Sequence, residues 1–282
     1  MLTDHSIIQL GDTMFKWNYK SQIEHMADFK VAKPEFVINW IGQAGFVFKT
    51  AEDAVVCLDP YYSNCLERYE GPSARRMWYN KFKITNFHPD LVLCSHDHLD
   101  HTDPETLPLL YAHSDAIFAG PPSSVEHIRR MRMSDERLQE LQMGETYRIK
   151  DLTYRAVFAD HTEDSVGFIF EIEGVKVYFT GDTSLNERLY EQAGVDVLIA
   201  CVNGKYGNLT MEEAIVLHKK LGSKLLIPMH YDLIPSNTVD INRFVHLCEQ
   251  EGIHHLIMDV EQHYYFKKTG EQIEVRQQAS TF

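Results

Sequence analysis

An α/β fold, with two packed mixed β-sheets flanked by helices, is predicted by three features of this 282-residue sequence. Strand-like runs crowd the first part of the chain, and strands alternate with helices from residue 91 onward. No low-complexity linker or charge block interrupts the pattern, so residues 34–282 read as a single domain.

Each element has its own local signal. Residues 1–33 mix Lys, His, Met and aromatics with weak helical periodicity. They are expected to form an N-terminal helical extension packed on the domain or on a neighbouring subunit. Strands are expected at 36–41, 45–49 and 54–58. The stretch 60–88 holds Tyr, Arg, Gly and Pro without regular pattern and reads as a long loop with one helix. Loops of that length in compact domains are commonly functional or disordered, and this one is expected to line a substrate pocket, with scattered surface packing as the alternative. Next come strand 91–95, helix 104–112, strand 115–118, helix 122–132 and hairpin-like strands at 145–149 and 152–159. Strands 166–172 and 175–180 are joined by a Glu173-Gly174 turn. Helix 184–193, strand 195–201, helix 210–221, strand 224–229, helix 239–251 and strand 254–266 complete the chain.

Composition narrows the class. Apolar residues make up 44% and charged residues 24%, which is ordinary for a globular protein. No apolar run approaches the roughly 18 residues that span a bilayer, and Met1-Leu2-Thr3-Asp4-His5 lacks the basic and apolar regions of a secretory signal. The 5 cysteines form no CxxC pair, and Cys94 and Cys201 lie in apolar runs, which suits reduced core thiols and a cytoplasmic location. A formal charge of −14 repels a phosphate backbone, so nucleic acid is disfavoured as a partner. A small anionic molecule is the expected substrate and a homo-oligomer the expected assembly.

The chemistry concentrates in Ser95-His96-Asp97-His98-Leu99-Asp100-His101, which follows the apolar run Leu91-Val92-Leu93-Cys94. At the end of a strand, residues two apart point the same way, so His96 and His98 can share one ion. After the chain turns, Asp100 and His101 can reach a second. Thr102 with Glu105, or Asp103 followed by Pro104, then gives a helix start. Further ligand types stand at three other strand ends: His161 after 156–159, Asp182 after 175–180 and His230 after 225–229. Imidazole and carboxylate without thiolate suit zinc, manganese or iron.

The His96-x-His98-x-Asp100-His101 signature, with His161, Asp182 and His230 in this order, resembles the metallo-β-lactamase superfamily over about Phe36 to Phe266. That resemblance implies a four-layer αββα sandwich. It also implies two divalent metal ions per chain, one held by His96, His98 and His161 and the other by Asp100, His101 and His230, with Asp182 bridging. Within the superfamily the chain is similar to the L-ascorbate-6-phosphate lactonase group, through Trp40-Ile41-Gly42-Gln43-Ala44-Gly45, Leu58-Asp59-Pro60, Tyr206-Gly207-Asn208 and Ile227-Pro228-Met229-His230-Tyr231-Asp232. It is more compact than that group near 60–90 and 160–166.

Roles follow from this. A metal-bridging hydroxide would attack a lactone or ester carbonyl, with Asp100 orienting it and shuttling its proton. Tyr206 would donate to the oxyanion. Arg75, Arg76, Lys205 and Asn208 are the candidates for binding a substrate phosphate or carboxylate, with a solvated surface position as the alternative for Arg75, Arg76 and Lys205. Asp232 or Asp59 would support a ligating imidazole, with a cap or turn role as the alternative for Asp59. The same two-metal site supports a phosphodiesterase or ribonuclease, and a metal-binding scaffold without catalysis is the non-enzymatic alternative.

Overall fold

Side-chain alternation along the strands builds two cores at once. In strand β3 (Phe36–Gly42), Phe36, Ile38 and Trp40 enter one buried cluster, while Val37 and Ile41 enter another. The computed structural model describes residues 7–10, 13–16, 21–23, 26 and 29–278.

Strands β1 (Ile7–Leu10) and β2 (Thr13–Lys16) pair antiparallel by themselves. After β3 come β4 (Gly45–Lys49), β5 (Val55–Leu58), helix α1 (Cys65–Glu70), β6 (Leu91–Leu93), α2 (Thr106–His113), β7 (Ile117–Gly120), α3 (Pro122–Arg130) and β8 (Leu138–Glu140). The second half contributes β9 (Thr146–Ile149), β10 (Leu152–Phe158), β11 (Val166–Ile172), β12 (Val175–Phe179), β13 (Val197–Cys201), α4 (Met211–Leu221), β14 (Leu225–Met229), α5 (Ile241–Gln250), β15 (Tyr264–Thr269) and β16 (Gln272–Gln277).

The larger sheet has 8 strands in the order β16-β15-β3-β4-β5-β6-β7-β8, and the smaller has 6 in the order β14-β13-β12-β11-β10-β9. Each is mixed: β5 through β8 run parallel, as do β12 through β14, and the remaining pairs are antiparallel. Their facing surfaces share one core, in which Phe46 meets Phe179 and Phe48 meets Phe170. Leu107 and Leu110 of α2 and Ile128 of α3 pack with the outer residues of the larger sheet. On the other side α4 packs on β13 and against α5. The result is the αββα layering expected.

Helix α4 shows how local sequence sets element ends near the site. Thr210 Oγ1 accepts from Glu213 N at 3.2 Å, and Glu213 Oε2 accepts from Thr210 N at 2.8 Å, a reciprocal cap. Gly222, at φ +68°, closes the helix in the left-handed conformation that glycine adopts without a Cβ penalty. No helix among the described residues is long and apolar enough to cross a membrane. All 5 cysteines are buried and free.

Three expectations change. In the extension over 1–33, of which 1–6, 11–12, 17–20, 24–25 and 27–28 lie outside the described residues, strands stand in place of an expected helix at its start: β1 and β2 flank the hairpin-type dipeptide Gly11-Asp12, a local turn signal that outweighs weak helical periodicity. Farther along it, Ile23, Met26 and Val31 are buried beside Val37, so this part packs on the domain. Residues 184–193 form only a tight 3-10 turn at Glu187–Gln192, begun by Asn186 accepting from Arg188 N. The strand expected over 254–266 is broken by Glu261 at φ +62°, leaving bridges at His255 and Val260 before β15 starts at Tyr264.

His218 on α4 generates a stability prediction. It is buried against Ser223 Oγ (2.6 Å from Nδ1), and burial, aided by Lys219 and His254, pushes its pKa down to about 4. An unfolded histidine titrates near ~6.5, so between these values only the unfolded chain takes up the proton. This contribution is complete above the unfolded pKa and is lost as pH falls through the folded one. Urea unfolding at pH 7.5 and 4.5 should therefore show the wild type losing roughly 2–3 kcal/mol more than His218→Gln. Equal losses would remove His218 from the acid response.

Candidate metal centre

The ligand-type residues stand past the carboxyl ends of strands, where open α/β sheets place their ligands. His96, His98, Asp100 and His101 follow β6 of the larger sheet. His161, Asp182 and His230 follow β10, β12 and β14 of the smaller one. Three overlapping groups result: His96 with His98 and His161, His96 with His101 and Asp182, and Asp100 with His101 and His230. Each takes two residues from the larger sheet and one from the smaller.

Distances within the groups suit a shared cation. His161 Nε2 lies 3.2 Å from His98 Nδ1, and Asp182 Oδ2 lies 3.2 Å from His230 Nε2 and 3.5 Å from His101 Nε2. Zinc–nitrogen bonds of about 2.0–2.1 Å in a tetrahedral site set ligand atoms about 3.3 Å apart. His96 Nε2, His101 Nε2 and Asp182 Oδ1 are buried without a hydrogen-bond partner, a costly arrangement unless an ion takes their lone pairs. The donor set therefore fits divalent metal, and Asp182, also 3.9 Å from His161 Nε2, is placed between the two outer groups.

Neighbouring side chains set the tautomers. Asp59, at the end of β5, accepts from Ser95 N (2.7 Å), from Ser95 Oγ (2.6 Å) and from His101 Nδ1 (2.7 Å). Because Ser95 spends its one hydroxyl proton on Asp59, it accepts from His96 Nδ1 at 3.0 Å. Both rings then present an Nε2 lone pair to the site. Asp59 thus supports a ligand rather than capping a helix. The Asp232 backbone N donates to Thr238 Oγ1 at 2.8 Å, and the Asp232 carbonyl accepts from Trp78 Nε1 at 2.5 Å.

Charge follows the same contacts. Burial and the neighbouring His101 hold His96 well below its usual pKa. Burial alone would lower His230, but Asp182 and Asp100 raise it to about 9, and Asp182, Asp100 and Asp59 raise His101 in the same way. Burial opposes ionisation of Asp182 and Asp100, yet His101 and His230 hold both carboxyls below the usual range. A dication at these atoms would replace the protons in that role.

The family model of the beta-lactamase superfamily domain matches residues 37–230, from β3 to the last of these ligands. The chain belongs to the metallo-β-lactamase superfamily. A UPF0173 protein of Pyrococcus furiosus is 31% identical over 146 residues, covering 50% of this chain and 66% of its own length. A UPF0173 metal-dependent hydrolase of Saccharolobus solfataricus is 27% identical over 176 residues, covering 60% and 77%. Among solved structures, a metallo hydrolase of Ignicoccus hospitalis superposes with a TM-score of 0.68 at 20% identity, covering 83% of this chain and 100% of that one. These names carry no substrate.

Within this superfamily member, the residues proposed for substrate divide sharply. Arg76 has its donors engaged within its own segment: it is 3% exposed, donates to Tyr61 O (2.8 Å), Ser63 O (3.2 Å), Trp78 O (3.2 Å) and Asn80 Oδ1 (2.5 Å), and lies over the Tyr61 ring. It knits the 60–88 segment internally. Arg75 is exposed and paired with Glu67 at 2.8 Å. Lys205 Nζ donates to Ser236 O at 2.9 Å. Asn208 is buried and donates to Asp182 Oδ2 at 2.7 Å, so it positions the shared carboxylate. Tyr206 is 68% exposed, at φ +55°, on the turn whose next residue, Gly207, backs onto His161.

The 60–88 segment packs rather than hangs loose. Tyr61, Cys65, Leu66 and Ala74 form a small core with Leu233 and Ile234, against which Trp78 and Leu99 pack. A Cβ on Gly42 would lie 2.6 Å from Trp78 Cη2, which is why glycine stands there. For the helix start after the metal loop, Asp103 is the effective residue, accepting from Glu105 N and Thr106 N at 2.9 and 3.2 Å.

Sequence reasoning missed the tautomer role of Ser95 and the contacts of Gln43, whose Nε2 lies 3.0 Å from Asp100 Oδ2 and 3.1 Å from His230 Nδ1. Both residues adjoin residues singled out from the sequence, but their contacts cross between strand ends and leave no periodic trace.

Two predictions follow from these contacts. Asp59→Asn should weaken metal binding about 10–100-fold in a chelator competition, because the His101 proton loses its charged acceptor; an unchanged affinity would remove Asp59 from the site. Arg76→Ala should lower stability by about 3 kcal/mol or more in urea, since several buried carbonyls lose their donor, whereas Arg75→Ala should cost about 0.5 kcal/mol or less. Metal content should be unaltered in both arginine variants.

Proposed function

We propose that this chain is a metal-dependent hydrolase with two divalent ions per chain, opening a lactone or related ester of a small anionic sugar acid. The observation that carries the proposal is the pair of ligand groups, His96/His98/His161 and Asp100/His101/His230, with Asp182 between them. Manganese or zinc bound there would polarise an ester carbonyl and make a nucleophilic water available near neutral pH.

The chain's own groups take the other tasks. Asp100, ionised and buried, is the acceptor for a water proton and can return it to the leaving alkoxide. Asn208 keeps Asp182 oriented. His98 is exposed and His161 half-buried, so a substrate approaches on their side, beside the 204–207 turn. There Tyr206 can donate to a substrate oxygen, and Lys205 can swing from the Ser236 carbonyl to a substrate carboxylate. Recognition of a second anionic group falls to this turn, because Arg76 is withdrawn into the 60–88 segment.

The resemblance of the 40–45, 206–208 and 227–232 segments to the L-ascorbate-6-phosphate lactonase group favours a sugar-acid lactone, and a net charge of −14 weighs against RNA. Elemental analysis of protein reconstituted in excess Mn2+ or Zn2+ should approach two ions per chain, and Asp182→Ala should lower the content of both. Saturation at one ion would sink the dinuclear reading. Sugar-acid lactones and short RNA should then be compared at equal metal loading and two salt concentrations. The lactone is expected to have the higher kcat/KM, with Tyr206→Phe reducing it at unchanged metal content. A higher value for RNA, abolished by Asp100→Ala, would replace the lactonase with a nuclease.

A further inference from the structure

Gln43 occupies the turn between β3 and β4, fully buried and at φ +53°, a region that non-glycine residues enter at a cost. It grips His230 twice: its carbonyl accepts from His230 N at 2.9 Å, and its side-chain Nε2 lies 3.1 Å from His230 Nδ1. The same Nε2 donates to Asp100 Oδ2 at 3.0 Å, and Trp40 Nε1 holds the Gln43 carbonyl at 3.0 Å. Gln43 Oε1 is buried without a hydrogen-bond partner. The side chain therefore contacts two of the three members of the Asp100/His101/His230 group.

We propose that Gln43 is a positioning residue for the Asp100/His101/His230 metal position alone, its amide serving Asp100 as donor and His230 as acceptor in turn. The inference rests on the two-ion reading above. An imidazole that gives its Nε2 lone pair to a cation carries its proton on Nδ1, and that proton needs an acceptor. At His230, Nε2 faces Asp182 and Asp100, and Nδ1 is the ring nitrogen nearer to Gln43, 3.1 Å from its Nε2 against 3.5 Å for His230 Nε2. A half-turn of the amide puts the unpartnered Oε1 where Nε2 stands, supplying that acceptor, and frees Asp100 Oδ2 from its donor. Rotation about this last torsion is soft, because it joins an sp3 to an sp2 carbon. A glutamine suits both states because it is uncharged and carries a donor and an acceptor side by side.

The test is Zn2+ titration of the full chain against a chromophoric chelator, with wild type, Gln43→Met, Gln43→Asn and Gln43→Glu compared. Met removes both polar contacts at similar length, and Asn keeps the amide but is too short to reach, so either variant suffices if the other does not fold. Both are expected to weaken one of two binding steps by about 10–100-fold and to leave the other within about twofold. Glu restores an acceptor for His230 and should bring the weakened step back towards wild type. In histidine-selective nitrogen NMR of the Zn2+-loaded protein, the His230 Nδ1–H signal should shift in the Met variant while those of His96 and His98 stay. A single step in wild type would overturn the two-ion reading. Variants that match wild type, that weaken both steps equally, or that Glu fails to rescue would overturn the role of Gln43 alone.

Discussion

A carboxylate removed from water must be satisfied by the chain itself, and at Asp59 three donors do so: Ser95 N, Ser95 Oγ and His101 Nδ1. An ionised carboxylate left unpaired at that depth would cost several kcal/mol, so the arrangement is all or nothing. It fastens the end of β5 to the chain leaving the neighbouring parallel strand β6, which is where the metal loop begins. From it follow the ring orientation of His101, the free hydroxyl lone pair of Ser95 and, through that lone pair, the orientation of His96. One aspartate thus fixes two metal-facing nitrogens and the departure angle of the loop that carries two further ligands.

Backbone conformation around this anchor is unusual in a consistent way. Gln43, Asp59, Tyr206, His230 and Asp232 all have positive φ, and all lie on the turns that ring the centre. Gly181, immediately before Asp182, shares the feature, and a Cβ there would meet Val166 O at 2.8 Å. Strand ends must bend sharply to turn their next side chain inward, and the left-handed region supplies the bend. The cost falls on residues chosen for chemistry, while the flanking strands, buried on both faces, hold it in place.

The seven ligand-type residues were legible because they gather just past the ends of apolar strand-like runs, a pattern that is local in sequence. The strand at 36–41 and the helix at 210–221 were legible for the same reason. Arg76 was not: its partners are carbonyls of Tyr61 and Ser63, and nothing in the sequence says that a guanidinium will be drawn inward to satisfy them. Asn208 read as a substrate residue because its turn was recognisable, whereas its contact with Asp182 crosses from one strand end to another. Gly11-Asp12 was a missed local signal, since the dipeptide between two β-prone runs outweighs the weak helical pattern around it.

Every cation-competent group among the described residues draws on both sheets, and that gives the site a mechanical meaning. A bound ion is a further cross-link between two halves of the sandwich, which are already joined by apolar contact and by hydrogen bonds such as His230 N to Gln43 O. None of the groups can be complete before the sheets have docked, because His161, Asp182 and His230 arrive on strands far along the chain from the metal loop. Ion binding therefore selects the docked topology and stabilises it by mass action, in proportion to the logarithm of free metal over its dissociation constant. The long-range pairing that makes such a fold slow to form is the same condition that lets a single ion act as its latch.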